Sequence, residues 1–148
     1  VVLVEFAIVL PILMLLILGI LCFGSLEDYS NQATQIAEEG ARWAAVDNNP
    51  SSVTNQSLQT YLAAQLQAGD LKVTSAQAYL YCPSGCTVNN SVTACVVATV
   101  QYPFVGFAGA NSTIVQAASM RIEQAQTAFP TDPNGWNADT QPSSCPTS

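Results

Sequence analysis

The chain has 148 residues, 49% of them hydrophobic and 9% charged, with three basic residues, ten acidic ones, no histidine and a formal net charge of -7. That length has room for one domain. Three basic side chains cannot neutralise a phosphate backbone, which excludes nucleic-acid binding. The lack of histidine excludes ordinary haem ligation and the commonest general base.

From Val1 to Leu26 the sequence is apolar apart from one charged residue, Glu5. About 20 such residues suffice for a helix that crosses a bilayer. A carboxylate inside lipid costs about 2.5 kcal/mol or more, so Glu5 reads as a functional residue that needs a partner. The nearest partner is the α-amino group of Val1; the plainer reading is a side chain snorkelling to the interface. The chain shows no initial Met and no basic residue before Arg42. The expectation is a basic leader already removed with its apolar segment retained, and the plain alternative is a simple anchor. Pro11, Gly19 and Gly24 interrupt the run. They read either as a helix that bends or unwinds in a packed bundle, or as ordinary membrane-helix composition.

Beyond Leu26 the pattern stays helical. Ala33, Ile36, Ala37, Gly40, Ala41, Ala44 and Ala45 recur at spacings of three and four and form one small-residue face. Asp47-Asn48-Asn49-Pro50 is expected to stop this helix, because the residue before Pro is driven out of helical geometry. A helix from Val1 to Asp47 would be about 70 Å long, so half of it must project from so small a domain.

A second helix is predicted from Ser52 to Ala68, capped by Ser51 or Ser52 and closed by Gly69. Leu58, Tyr61, Leu62, Gln65 and Leu66 lie on one of its faces. The period then changes to two. Lys72–Tyr81, Val92–Tyr102 and Thr113–Glu123 are predicted strands of an antiparallel meander, with turns at 89–91 and 106–111. The predicted class is therefore α+β: a long helix, a second helix and a small sheet. The domains are 1–26 (membrane or filament-core helix), 27–129 (globular part) and 130–148 (irregular surface tail, pinned if at all by Trp136 and Cys145).

The N-terminal block Val4-Glu5-Phe6-Ala7-Ile8-Val9-Leu10-Pro11-Ile12-Leu13, followed by Leu18-Gly19-Ile20, resembles the TadE-like pilins of tight-adherence (Tad) systems, within the type IV pilin superfamily. Val100-Gln101-Tyr102-Pro103-Phe104 is similar to that family's strand ending in a Tyr-Pro turn. Ala117-Ala118-Ser119-Met120-Arg121-Ile122-Glu123 is similar to its closing strand. The resemblance covers most of residues 1–123, and the N-terminal block is its specific part.

The resemblance implies several things. A prepilin peptidase would cut just before Val1. The chain would wait in the bacterial inner membrane with its C-terminal domain outside, and assembly machinery would extract it into an extracellular filament. That filament would be a helical homopolymer whose core is the bundled N-terminal helices. Val1, Glu5, Pro11, Gly19 and Gly24 are the expected assembly residues, with Glu5 setting subunit register. The function expected is a structural pilus subunit serving adhesion or surface attachment. The alternatives are a minor pilin that primes assembly or sits at the tip, and a single-span envelope protein with an exterior binding domain.

Cys22 reads as an apolar filler of the helix. In an exterior domain Cys82, Cys86, Cys95 and Cys145 read as two disulfides, for which three pairings exist. Cys82 with Cys86 and Cys95 with Cys145 is preferred over Cys82 with Cys95 and Cys86 with Cys145. A four-cysteine zinc site is the rival reading. Asn89-Asn90-Ser91 and Asn111-Ser112-Thr113 match the glycosylation acceptor pattern, as does Asn55-Gln56-Ser57. No nucleophile stands beside a plausible base and no Gly-rich phosphate loop occurs. The expectation is a non-enzyme without cofactor or catalytic residue.

Overall fold

A computed structural model describes residues 2–49, 56–69, 72–101, 111–129, 131–132 and 134–146, with the side chains of 2–4 left out. The order of elements is α1 (Val2–Ala45), α2 (Leu58–Gln67), β1 (Lys72–Tyr81), β2 (Ser91–Gln101) and β3 (Asn111–Arg121). The α+β class is as predicted: the strands form one antiparallel sheet in the order β1-β2-β3, with both helices on one face. Pro50 of the predicted stop, the caps at Ser51 and Ser52, Asn55, the Tyr102-Pro103-Phe104 turn and most of the 106–111 turn lie outside the described residues.

α1 has 44 residues and runs unbroken through Pro11. It is about 66 Å long at 1.5 Å per residue. Its second half packs through the small-residue face: Ala33, Ala37, Ala41, Ala44 and Ala45 are buried, with Tyr29 at the near end. Small side chains let the sheet approach closely. A Cβ on Gly40 would stand 2.6 Å from Leu62 Cδ1 and 3.4 Å from Ala94 Cβ. Across the interface β2 presents Val92, Ala94, Val96, Ala98 and Val100, all buried, as its period of two dictates.

The end of α1 is made by Asp47. It takes a left-handed φ of 48°. The N–H of Asn48 then reaches back to the Trp43 carbonyl at 3.0 Å, and that of Asp47 to Ala44 at 3.2 Å. This is a Schellman closure with a short polar residue in the position where glycine is usual. The Asp47 carboxylate accepts from the N–H of Thr127 at 2.6 Å, which holds the unusual conformation in place.

α2 starts later than predicted. Its cap is Ser57, whose hydroxyl accepts from the N–H of Thr60 at 3.3 Å. It ends on Ala68 rather than Gly69, and Ala68 is right-handed. Gly69 has a different use: a Cβ there would meet the Tyr29 ring at 2.9 Å. That ring is fixed by its hydroxyl, which donates to the Leu66 carbonyl at 2.9 Å. β2 begins one residue and β3 two residues earlier than predicted, and β3 also ends two residues early.

The tail is irregular but is not confined to the surface. Trp136 is fully buried and is the largest fully buried side chain. Its indole N–H donates to the Ala44 carbonyl at 3.1 Å, on the helix side of the sheet. Asp139 then reaches the outer edge of β1: its N–H donates to the Leu80 carbonyl at 2.6 Å, and its carboxylate accepts from the Leu80 N–H at 2.9 Å. Cys145 ends on the opposite face, bonded to Cys95 and packed with Tyr81. Residues 136–145 thus form a strap that passes round the β1 edge and occupies backbone groups that an open edge strand would offer to other chains.

A candidate assembly helix

Among the described residues, the exposed large hydrophobic side chains are concentrated on the first half of α1. Phe6 is 65% exposed and Phe23 70%, and the large apolar residues between them that point away from the domain are open as well. An 18-residue window of this helix has a mean hydropathy of 3.0 and no buried residue. By length and composition it can cross a membrane. A helix apolar on all sides is stable only when enclosed, by lipid or by other helices.

Four of the predicted assembly residues, Glu5, Pro11, Gly19 and Gly24, fall on this half, spread along it. Glu5 is exposed in the first turn. Val1 lies outside the described residues. Pro11 is inside the helix. Gly19 and Gly24 have nothing within 4 Å of where a Cβ would stand. With Leu15, Leu16, Ile20 and Phe23 they line a shallow apolar groove of about 450 Å³. Among the described residues no neighbour requires glycine at either position, in contrast to Gly40 and Gly69.

The cysteines are joined as Cys82–Cys86 and Cys95–Cys145, with Cα separations of 5.2 and 6.1 Å, and Cys22 is free. Two disulfides, not metal ligation, take up the four thiols of the globular part. The Cys82–Cys86 loop turns at Gly85, whose φ is 89°. Its carbonyls are held by the Asn90 amide, which donates to Ser84 and Gly85. Among the described residues no group of three or more His, Cys, Asp or Glu is placed to hold a metal ion.

The two described acceptor asparagines differ. Asn89 is left-handed with φ 78°, and its side-chain oxygen accepts from Arg121. Asn111 is exposed at the first position of β3. Sequence reasoning missed Asp139 and the depth of Trp136. A lone Trp in a polar tail was the available signal for the second.

Among the described residues of the globular half, two groups are perturbed electrostatically. Burial raises the Tyr29 hydroxyl above its ordinary value, and burial raises Tyr81, whose hydroxyl donates to the Pro146 carbonyl at 2.9 Å.

Residues 1–42 match the family model described as TadE-like protein. The N-terminal segment is similar to TadE-like proteins. The match ends inside α1, so the TadE-like segment comprises the exposed apolar half and most of the packed half, while the sheet and strap lie beyond it. No curated protein and no solved structure matches the chain. A TadE-like segment continuous with an apolar N-terminal helix fits a membrane-anchored, Tad pilus-associated protein.

Proposed function

We propose that this chain is a structural subunit of a Tad-type filament, held in the membrane by α1 before assembly and polymerising through the same helix. The observation that carries this reading is the exposure of the apolar half of α1 on a domain that is otherwise closed. Lipid encloses that surface in the membrane. Outside it, copies of the same helix provide equivalent cover. The groove at Gly19 and Gly24 supports the reading because it lets a neighbouring helix approach closely, as small residues do in membrane bundles. Glu5 then needs a positive or hydrogen-bonding partner from the assembly, since a buried charge left unpaired is heavily penalised. A carboxylate of that kind selects one axial offset between subunits. The filament would present the sheet, the strap and the Cys82–Cys86 loop outward, as the surface available for attachment.

The test is Glu5→Ala in the natural host. The variant is expected to accumulate in the membrane with both disulfides formed, yet to give few or short filaments, with Glu5→Asp milder. Normal filaments from Glu5→Ala would remove Glu5 from the mechanism. Counting this chain against the other components of purified filaments separates a major subunit from a minor one that primes assembly.

A further inference from the structure

β3 runs in the same direction as α1, and two contacts fix its height along the helix. At the upper end the N–H of Glu123 donates to the Ala45 carbonyl at 2.8 Å. Lower down the Gln116 amide donates to the Ser30 hydroxyl at 2.9 Å. The strand and helix segments between these contacts each span about 23 Å, so the two elements keep pace. From Gln116 the strand continues to Asn111, about 16 Å further. The start of β3 therefore comes level with roughly residues 19–22 of α1. Gln101 of β2 pairs with Asn111 on one side and with Lys72 of β1 on the other, so all three strand ends lie at this base.

Burial along α1 gives a second, independent measure. Leu18 and Cys22 share a face with Leu26 and Tyr29 and are partly covered, while Leu21 and Phe23 on other faces are 53% and 70% exposed. The domain thus overlaps the apolar half of the helix by about two turns. Because α1 and the sheet are packed as one body, lipid cannot take in Leu21 and Phe23 without also receiving the base of the sheet.

Resting on the reading of α1 as a membrane span, we propose that the base of the sheet, at Lys72, Gln101, Asn111 and Ser112, is a phospholipid contact seated in the headgroup layer. The chemistry of these residues suits that layer. None is acidic, three offer neutral hydrogen-bonding groups, and Lys72 brings an exposed ammonium to the level of the phosphates. Arg42 and Arg121, the other two basic residues, lie towards the opposite end of the domain. Glu27 and Asp28, exposed on the next turn of α1, stand just above the same layer and favour zwitterionic over anionic lipid. The stretch that joins the strand ends, 102–110, contains no charged residue in its sequence.

The test is site-directed spin labelling of the full chain in phosphatidylcholine vesicles, in a Cys22→Ala background. Labels are placed one at a time at Asn111→Cys, Lys72→Cys, Leu13→Cys and Val88→Cys, all exposed positions, and collisions with oxygen and with a water-soluble nickel chelate are compared. The ratio of oxygen to nickel collisions is expected to be high at Leu13, low at Val88, at the other end of the sheet, and intermediate at Asn111 and Lys72. Ratios at both Asn111 and Lys72 equal to that at Val88, with Leu13 still lipid-buried, would overturn the proposal and leave the membrane reading intact. Nickel dominance at Leu13 would overturn the membrane reading and this inference with it.

Discussion

The indole N–H of Trp136 donates to the carbonyl of Ala44, 92 residues earlier, inside the closed core. Ala44 is in the last turn of α1, where carbonyls have no partner within the helix. The Trp43, Ala44 and Ala45 carbonyls are each satisfied by the chain that follows or by the strap: Trp43 by Asn48, Ala44 by Asp47 and Trp136, Ala45 by Glu123 and Gln124. A tail that reads as surface filler thus completes the end of the helix that the domain is built on.

Trp136→Ala is expected to destabilise the globular part by about 3–5 kcal/mol, the range for removing a buried aromatic side chain. Trp136→Phe keeps most of the volume but loses the hydrogen bond, at a cost of about 1–3 kcal/mol. Denaturant titration of the detergent-solubilised chain, followed by far-ultraviolet circular dichroism, measures both.

The two disulfides close loops of very different length, with separations of 4 and 50 residues. On the chain-entropy account, the shorter contributes about 2 kcal/mol and the longer about 4 kcal/mol. Cys95→Ala with Cys145→Ala should therefore lower the denaturation midpoint more than Cys82→Ala with Cys86→Ala. Equal midpoints would mean that the strap is held by its non-covalent contacts.

Gly40→Ala and Gly19→Ala should act in opposite directions. Alanine favours a helix by about 1 kcal/mol over glycine at either site. At Gly40 the new Cβ runs into Leu62, which is fully buried and cannot swing aside, so the domain is expected to lose stability. At Gly19 nothing lies nearby, so the isolated chain should be unharmed. Filament yield read beside thermal stability separates the cases. Lost filaments from a stable Gly19→Ala chain would place the need for glycine between subunits.

Asp139→Ala is expected to uncover the Leu80 end of the β1 edge. The Leu80 amide should exchange its hydrogen faster, and the domain should lose about 1–3 kcal/mol through the unpaired N–H. Hydrogen exchange resolved to β1 checks this. Unchanged protection at Leu80 would show that the strap covers the edge without Asp139.

Alkaline pH should loosen the domain through Tyr29 and Tyr81. Burial raises both hydroxyls above the ordinary value of 10.0, so the folded state holds its protons more tightly than the unfolded one. Their contribution is complete below the unfolded value and falls away as pH rises through the raised folded values. Phenolate absorbance in the folded chain should show these two tyrosines titrating late, and Tyr29→Phe should remove one of them.

The helices and strands were legible where one physical demand dominated. The alanines of α1 and the alternating Val and Ala of β2 are bound to face a core at periods of 3.6 and 2, and they do. The start of α2 was misplaced because Ser51, Ser52 and Ser57 are equally good caps by chemistry. The stop of α1 falls in the expected segment from Asp47 to Pro50, but Asp47 makes the closure in a conformation that a non-glycine residue seldom announces. Thr93 and Cys95, on the face of β2 turned from the helices, are buried as well. That could not be read from β2, because what covers Cys95 is a polar tail whose path is set by one Trp, one Asp and one Cys. The apolar half of α1 was legible directly, since a helix apolar on all sides demands enclosure.

The two ends of the strap give the domain a mechanical property. Trp136 holds it to α1 by a hydrogen bond, and Cys145 holds it to the central strand by a covalent bond. Tension between the apolar end of α1 and the far side of the sheet would shear the two layers against each other. The segment from 136 to 145 reaches about 30 Å when fully drawn out. While Trp136 keeps its seat, that segment limits how far the layers can part, and if the seat is lost the disulfide still keeps the strap on the sheet. A strained molecule thus retains the piece it needs to close again.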